Sequence, residues 1–261
     1  MGRKSVPDKE PAFGVSHAVT LNDIERHLFP LLQNTTVVRV QQATKLHPQS
    51  SIRSQFGGNP YFMEGMEWPK SKDGVPLDFI FQVFANADTQ LPNDIKLIQL
   101  FYNHEKFPQQ TADDGWEVSI FTELNTRKHI ELEKPPGLSD KPYCPISFEP
   151  ELSLPDWESL QVYHPEIAGL IEQFNPDEPS EVYNSLCEKL VGHCYYQTQL
   201  GGYPRWVQHE AAPKDSRGIS MPLLFQVDSE DSAGLMWGDL GMVYLFYNKT
   251  DGQIWMELQS Y

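Results

Sequence analysis

The chain has 261 residues and a formal charge of -16, from 36 acidic against 20 basic residues. That length can bury a substantial core, and an aromatic share of 12% excludes a disordered chain. The acidic excess opposes binding to phosphate backbones, which requires basic surface, and would draw in a basic protein partner if it does more than keep the chain soluble.

Residues 1–17 are polar and contain Pro7 and Pro11, the composition of a flexible N-terminal arm. Their basic residues are not followed by the apolar core of a signal peptide. No apolar run is long enough to cross a bilayer. Gly2 fails the myristoylation pattern because the hydroxyl residue is Ser5 and position 6 is Val6. Cys144, Cys187 and Cys194 are odd in number and lack framework spacing, which fits a reducing compartment. A cytoplasmic address is the expectation.

Thr20 is placed to cap a helix whose apolar stripe is Leu21, Ile24, Leu28, Leu31 and Leu32, shortened or kinked at Pro30. The β-branched run 36–42 predicts a strand. Gly57-Gly58, with Pro60 pushing Asn59 into extended geometry, predicts a tight reversal. Residues 77–85 are apolar on both faces and predict a central strand. Strands at 95–102, 116–123 and 129–133 follow in antiparallel spacing, ended by Pro135-Pro136.

Residues 149–189 change character. Ten acidic residues stand there against Lys189 alone, a balance of -9. Ile167, Leu170, Ile171 and Phe174 sit at helical spacing, and a second helix begins near Ser180 with Val182, Leu186, Leu190 and Val191 inward. Strands return at 223–227, 242–247 and 253–259.

Two stretches repeat each other. Gly57-Gly58-Asn59-Pro60, Pro69-Lys70, Gly74 and Phe81-Gln82-Val83 recur at an offset of 144 as Gly201-Gly202-Tyr203-Pro204, Pro213-Lys214, Gly218 and Phe225-Gln226-Val227. Leu100-Phe101-Tyr102-Asn103 recurs one residue later in register as Leu245-Phe246-Tyr247-Asn248. The expected fold class is therefore α+β: an N-terminal helix and two related, mainly antiparallel β units, 36–148 and 196–261, with an acidic helical insertion over 149–193 between them.

Leu200-Gly201-Gly202-Tyr203-Pro204, followed by Phe225-Gln226-Val227-Asp228-Ser229 and Met236-Trp237-Gly238-Asp239-Leu240-Gly241, resembles the signature of the YwqG-like family. Gly57-Gly58-Asn59-Pro60, Glu67-Trp68-Pro69 and Leu77 to Gln82 are similar to that family's pattern too, so the likeness runs from about residue 40 to 261. The resemblance implies one bacterial, sheet-dominated domain over 18–261 and carries over no catalytic residue. It also implies a place among candidates for immunity or antitoxin roles.

Each constellation that bears chemistry has two readings. Asp228, Ser229, Glu230, Asp231 and Asp239 gather carboxylates that suit a hard cation or simply make tight turns; Ala233 stands where a calcium loop needs glycine. Gln82 and Gln226 interrupt apolar strands, lining a shared cleft between the units or satisfying backbone groups in the core. Trp68, Trp206 and Trp237 floor a cleft or close core edges. There is no Gly-x-Ser-x-Gly elbow, phosphate loop or His-Glu-x-x-His, and Cys187, His193 and Cys194 lack a second ligand pair, so no cofactor, metal or catalytic residue is assigned.

These readings make the chain a non-enzymatic protein-binding module, most concretely an immunity protein that binds and neutralises a basic toxin such as a secreted nuclease. Glu166, Glu172, Asp177, Glu178 and Glu181 are the expected contact patch, occupying cationic surface that a nuclease must carry for its substrate. The alternative is a small-molecule or carbohydrate binder, or a weak hydrolase, working in a cleft near Gln82, Gln226, Asp228, Trp237 and Asp239.

Overall fold

The computed structural model describes residues 18–44, 52–104, 115–192 and 197–261. The arm of residues 1–17, with His193 and Cys194, lies outside them.

Helix α1 (Leu21–Leu28) starts on a capping box: Asp23 N donates to Thr20 Oγ1 at 3.3 Å and Thr20 N to Asp23 Oδ2 at 3.1 Å. Ile24 and Leu28 are buried, while Leu21, expected on the same stripe, is exposed. It belongs to the first turn, before the helix meets its neighbours. Pro30 lies in a 3-10 turn over Phe29–Leu31 and ends the helix.

Most strands join one antiparallel sheet. They are β1 (Gln33–Val40), β2 (Gln55–Phe56), β4 (Asp78–Phe84), β5 (Leu97–Tyr102), β6 (Trp116–Phe121), β8 (Cys144–Ser153), β9 (Gln199–Gly201), β10 (Leu223–Asp228), β11 (Met242–Asn248) and β12 (Gln253–Gln259). Their spatial order is β12-β11-β10-β9-β1-β8-β2-β4-β5-β6. The sheet curls until Phe81 of β4 meets Phe225 of β10 edge-on, ring centroids 4.9 Å apart. Its two edges converge as well: Trp116 and Val118 of β6 and Ile254 of β12 line one cavity of about 450 Å³. The result is a nearly closed barrel around one apolar core.

Two expectations are corrected. Residues 129–133 do not extend this sheet; only His129–Ile130 (β7) is extended, paired with Phe62–Met63 (β3) in a separate two-stranded sheet. The acidic segment is not helical from residue 149, because Glu149 and Glu151 lie in β8, where Arg39 of β1 reaches them at 2.8 and 3.5 Å. Two prolines in that run argue locally against a strand. Pro150 is tolerated because β8 borders β2 only at Cys144 and Pro145, and from Ile146 onward its one ladder partner among the described residues is β1.

The helical part that remains is α2 (Trp157–Tyr163), α3 (Pro165–Phe174) and α4 (Pro179–Val191). With α1 they bury Leu160, Ile167, Ile171, Tyr183 and Leu186 in a second core. An ion pair between Lys189 and Glu25 ties α4 to α1. Phe174, expected inward, is 40% exposed because α3 ends there.

Contacts in the first half of the sheet recur 144 residues later. Gln55 Nε2 donates to the carbonyls of Gly57 and Asn59, and Gln199 Nε2 to those of Gly201 and Tyr203. Gln82 Oε1 accepts from Tyr61 N at 2.9 Å and its Nε2 donates to Arg53 O at 2.7 Å. Gln226 does the same with Arg205 N at 3.0 Å and Gln197 O at 2.8 Å. Both ladders shift register at matching places, between Phe79 and Phe81 and between Leu223 and Phe225. The paired glycines take positive φ in both halves, and a Cβ on Gly202 would sit 2.5 Å from Ser153 Oγ.

Gln82 and Gln226 are both 0% exposed, so these bonds have no water to replace them. Replacing Gln226 by Leu leaves a buried N–H on Arg205 unpaired and takes the donor from the half-buried Gln197 carbonyl, and should cost about 1–3 kcal/mol. Gln82→Leu should cost a similar amount. Urea unfolding at constant slope checks both; an unchanged midpoint would show that these amides are dispensable.

Candidate functional site

The face that combines cavities with charge lies where the helical layer meets the loop after β9. Asp156 caps α2 by accepting from Ser159 N at 2.8 Å, and its other oxygen accepts from Trp206 N at 3.3 Å. Asp156, Ser159 and Trp206 thereby form a wall with a cavity on each side.

The first cavity, about 550 Å³, is lined by Asp156, Trp157, Glu158, Glu181, Asn184, Glu188, Arg205, Trp206, Val207 and Gln208. Glu158, Glu181 and Glu188 project from α2 and α4 and are exposed, and none forms an ion pair among the described residues. Burial pushes the Asp156 carboxyl up, opposed by the two N–H donors and the Arg205 charge.

The second cavity, about 350 Å³, is more apolar, with Met221, Leu223 and Phe246 in its wall. Glu210 organises its polar side. Its Oε2 accepts from Ser159 Oγ at 2.6 Å and Trp206 Nε1 at 2.7 Å; its Oε1 accepts from Tyr163 Oη at 2.9 Å and Ala212 N at 2.7 Å. Partial burial raises the Tyr163 pKa, which the bond from Ser220 opposes and Glu210 reinforces. Ser159 is tied to a carboxylate, with no imidazole bonded to it among the described residues, so this geometry positions groups and does not activate a nucleophile.

The expected contact residues Glu166, Glu172, Asp177, Glu178 and Glu181 are all exposed. Asp177 N and Glu178 N donate to Asn175 Oδ1 at 3.1 and 3.2 Å, which shapes the turn between α3 and α4. Of the five, Glu181 reaches the larger cavity.

The structure does not bring the expected cleft residues together. Gln82 and Gln226 are held in the core by backbone bonds, and Trp237 is 0% exposed inside the barrel. Asp228 accepts from Ser229 N at 2.8 Å with its carboxyl pushed up by burial, and Asp239 is exposed, its carbonyl accepting from Tyr261 N. Neither helix-flanked cavity counts any of these five in its lining. Phe81, Phe225 and Leu245 pack in the core that the curled sheet encloses.

Arg205 and Glu210 were missed. Glu210 follows His209 in a His-Glu pair that lacks the second histidine of a zinc site, and Arg205 sits between Pro204 and Trp206 with no motif to mark it. The one available signal was an arginine beside the second Gly-Gly turn, where the first half has Tyr61.

Among the described residues no helix is long and apolar enough to cross a membrane, and no group of three His, Cys, Asp or Glu side chains could hold a metal ion. No curated protein matches the chain. Residues 54–253 match a family model described as "Domain of unknown function (DUF1963)", a span compatible with the resemblance drawn above although the match does not name that family. Since the match takes in most of the barrel and all of α2, α3 and α4, this chain belongs to the DUF1963 family.

Proposed function

We propose that this protein is a non-enzymatic, cytoplasmic binding module whose acidic helical face docks a basic protein partner, most concretely as an immunity protein against a basic toxin such as a secreted nuclease. The observation that carries the reading is the exposure of the carboxylates of Glu158, Glu166, Glu172, Asp177, Glu178, Glu181 and Glu188 on the three helices, beside a cavity three of them line. His164, with Nδ1 3.7 Å from Glu166 Oε1, is the one basic group within ion-pair distance of this row among the described residues. Uncompensated like charge costs stability and speeds association with an opposite charge.

We further read the matched contacts of the two sheet halves as one β unit present twice, with α2, α3 and α4 inserted between the copies. On this reading the insertion is free to carry the interface because the barrel core does not depend on its outward face.

The test uses the protein partner captured from native cells. Neutralising the patch as E166Q/E172Q/D177N/E178Q/E181Q should weaken its binding at least about tenfold at low salt, with the difference shrinking as salt rises. The same variant should lose protection when the partner is expressed in a susceptible cell, while its melting temperature holds or rises as the repulsion is relieved. Affinity, salt slope and protection all unchanged would end the proposal.

A further inference from the structure

Within the acidic face lies a group of the opposite sign. Arg205 is 8% exposed, lines the 550 Å³ cavity, and its guanidinium makes no hydrogen bond or ion pair among the described residues. The groups around it are already engaged. Asp156 uses both oxygens on Ser159 N and Trp206 N, and the Tyr183 hydroxyl donates to Pro155 O at 2.7 Å. The Arg205 backbone is pinned as well, its N–H on Gln226 Oε1 at 3.0 Å and its carbonyl accepting from Tyr244 Oη at 2.6 Å. The loop therefore holds this side chain in place without giving it an acceptor.

A guanidinium stays charged at any accessible pH and offers five donors in a planar fork that fits a carboxylate two bonds at a time. A carboxylate entering the cavity would give this fork the hydrogen-bonding acceptor that the described residues do not. The mouth has the reverse need, because Glu158, Glu181 and Glu188 present unpaired negative charge. A simple anion would be repelled there, and a simple cation would leave Arg205 unanswered. Both demands are met by one molecule with a carboxylate at its inner end and a cation at its outer end.

We propose that this cavity binds a basic α-amino acid unit, the α-carboxylate on Arg205 and the side-chain cation on Glu158, Glu181 and Glu188, with Trp157 covering the aliphatic stem. Such a unit is either free arginine or lysine, or the last residue of a polypeptide. The inference rests on the acidic-face reading for the cation and on Arg205 alone for the carboxylate.

Titrations of the full-length protein, followed by tryptophan fluorescence from Trp157 and Trp206 or by calorimetry, decide it. The probes are a short neutral peptide ending in arginine with a free carboxylate, the same peptide as its C-terminal amide, and free L-arginine. The acid peptide should bind at least about tenfold tighter than the amide. Arg205→Met should bring the acid down to the level of the amide, and E181Q/E188Q should weaken both. Because acid and amide are compared on the unaltered protein, misfolding of a variant leaves the result readable. Free arginine matching the acid peptide would assign the cavity to an amino acid, and a peptide at least tenfold tighter would assign it to a chain terminus; either supports the proposal. Equal binding of acid and amide, or no binding of any probe at millimolar concentration, overturns it. If that happens while the five-carboxylate variant still loses the captured partner, this inference falls and the acidic-face reading stands.

Discussion

Replacing Trp237 by Ala should destabilise the protein by about 3–5 kcal/mol, the range for deleting a large aromatic side chain from a core that cannot collapse around the gap. Trp237 is fully buried, with Tyr102 edge-on at 5.0 Å and His104 stacked at 5.4 Å. Its backbone is fixed on both sides: Trp237 N donates to Ser229 Oγ at 3.0 Å and its carbonyl accepts from Gly241 N at 2.8 Å. These bonds keep the loop from filling the space. The indole Nε1 has no hydrogen-bond partner among the described residues, so Trp237→Phe removes an unsatisfied donor along with part of the ring and should cost clearly less than the Ala change. Chemical denaturation of the three proteins checks the order. A Phe variant as unstable as Ala would mean that the indole nitrogen is satisfied after all.

The second large effect is a loss of stability in acid centred on His104. Burial beside Trp237, reinforced by the Lys141 charge and opposed by Asp78, lowers its pKa from 6.5 to about 4. The unfolded chain takes up this proton as pH falls through about 6.5, whereas the folded chain does so only near 4. The stabilisation is therefore complete above 6.5, erodes across that interval and is gone below it, amounting to roughly 3 kcal/mol. His104→Phe keeps the ring stack and removes the proton. Its unfolding free energy should therefore fall less between pH 7 and pH 4 than that of the unaltered protein. Burial raises the Asp156, Asp228, Glu230 and Glu257 pKa values, which acts in the opposite sense and is common to both proteins. Parallel pH profiles for the two proteins would remove His104 as the cause.

Features that depend on near neighbours were readable before any coordinates. The Thr20 cap is set by Asp23 three residues on, and the paired-glycine reversals by residues that tolerate positive φ. The strands at 242–247 and 253–259 follow from an unbroken apolar run and a turn, and the structure places them within a residue. The match between Gln82 and Gln226 was visible as an offset of 144, but not the direction in which either amide points. That direction follows from the backbone each one serves, at Tyr61 and Arg53 in one case and Arg205 and Gln197 in the other.

By itself the sequence determined the charge, the starts of α1 and α4, most of the strands and the recurrence of one turn chemistry, because each follows from side chains a few residues apart. The tertiary structure alone decided that residues 144–153 form a strand, since only the free edge of β1 makes an acidic, proline-bearing run extend. It also decided the site. Ser159 meets Trp206 across 47 residues and Glu210 across 51, and Arg205 has its place because Gln226 and Tyr244 hold its backbone from neighbouring strands. No local pattern encodes such meetings, because they depend on which strand edges pair and on how far the sheet curls before its core is full.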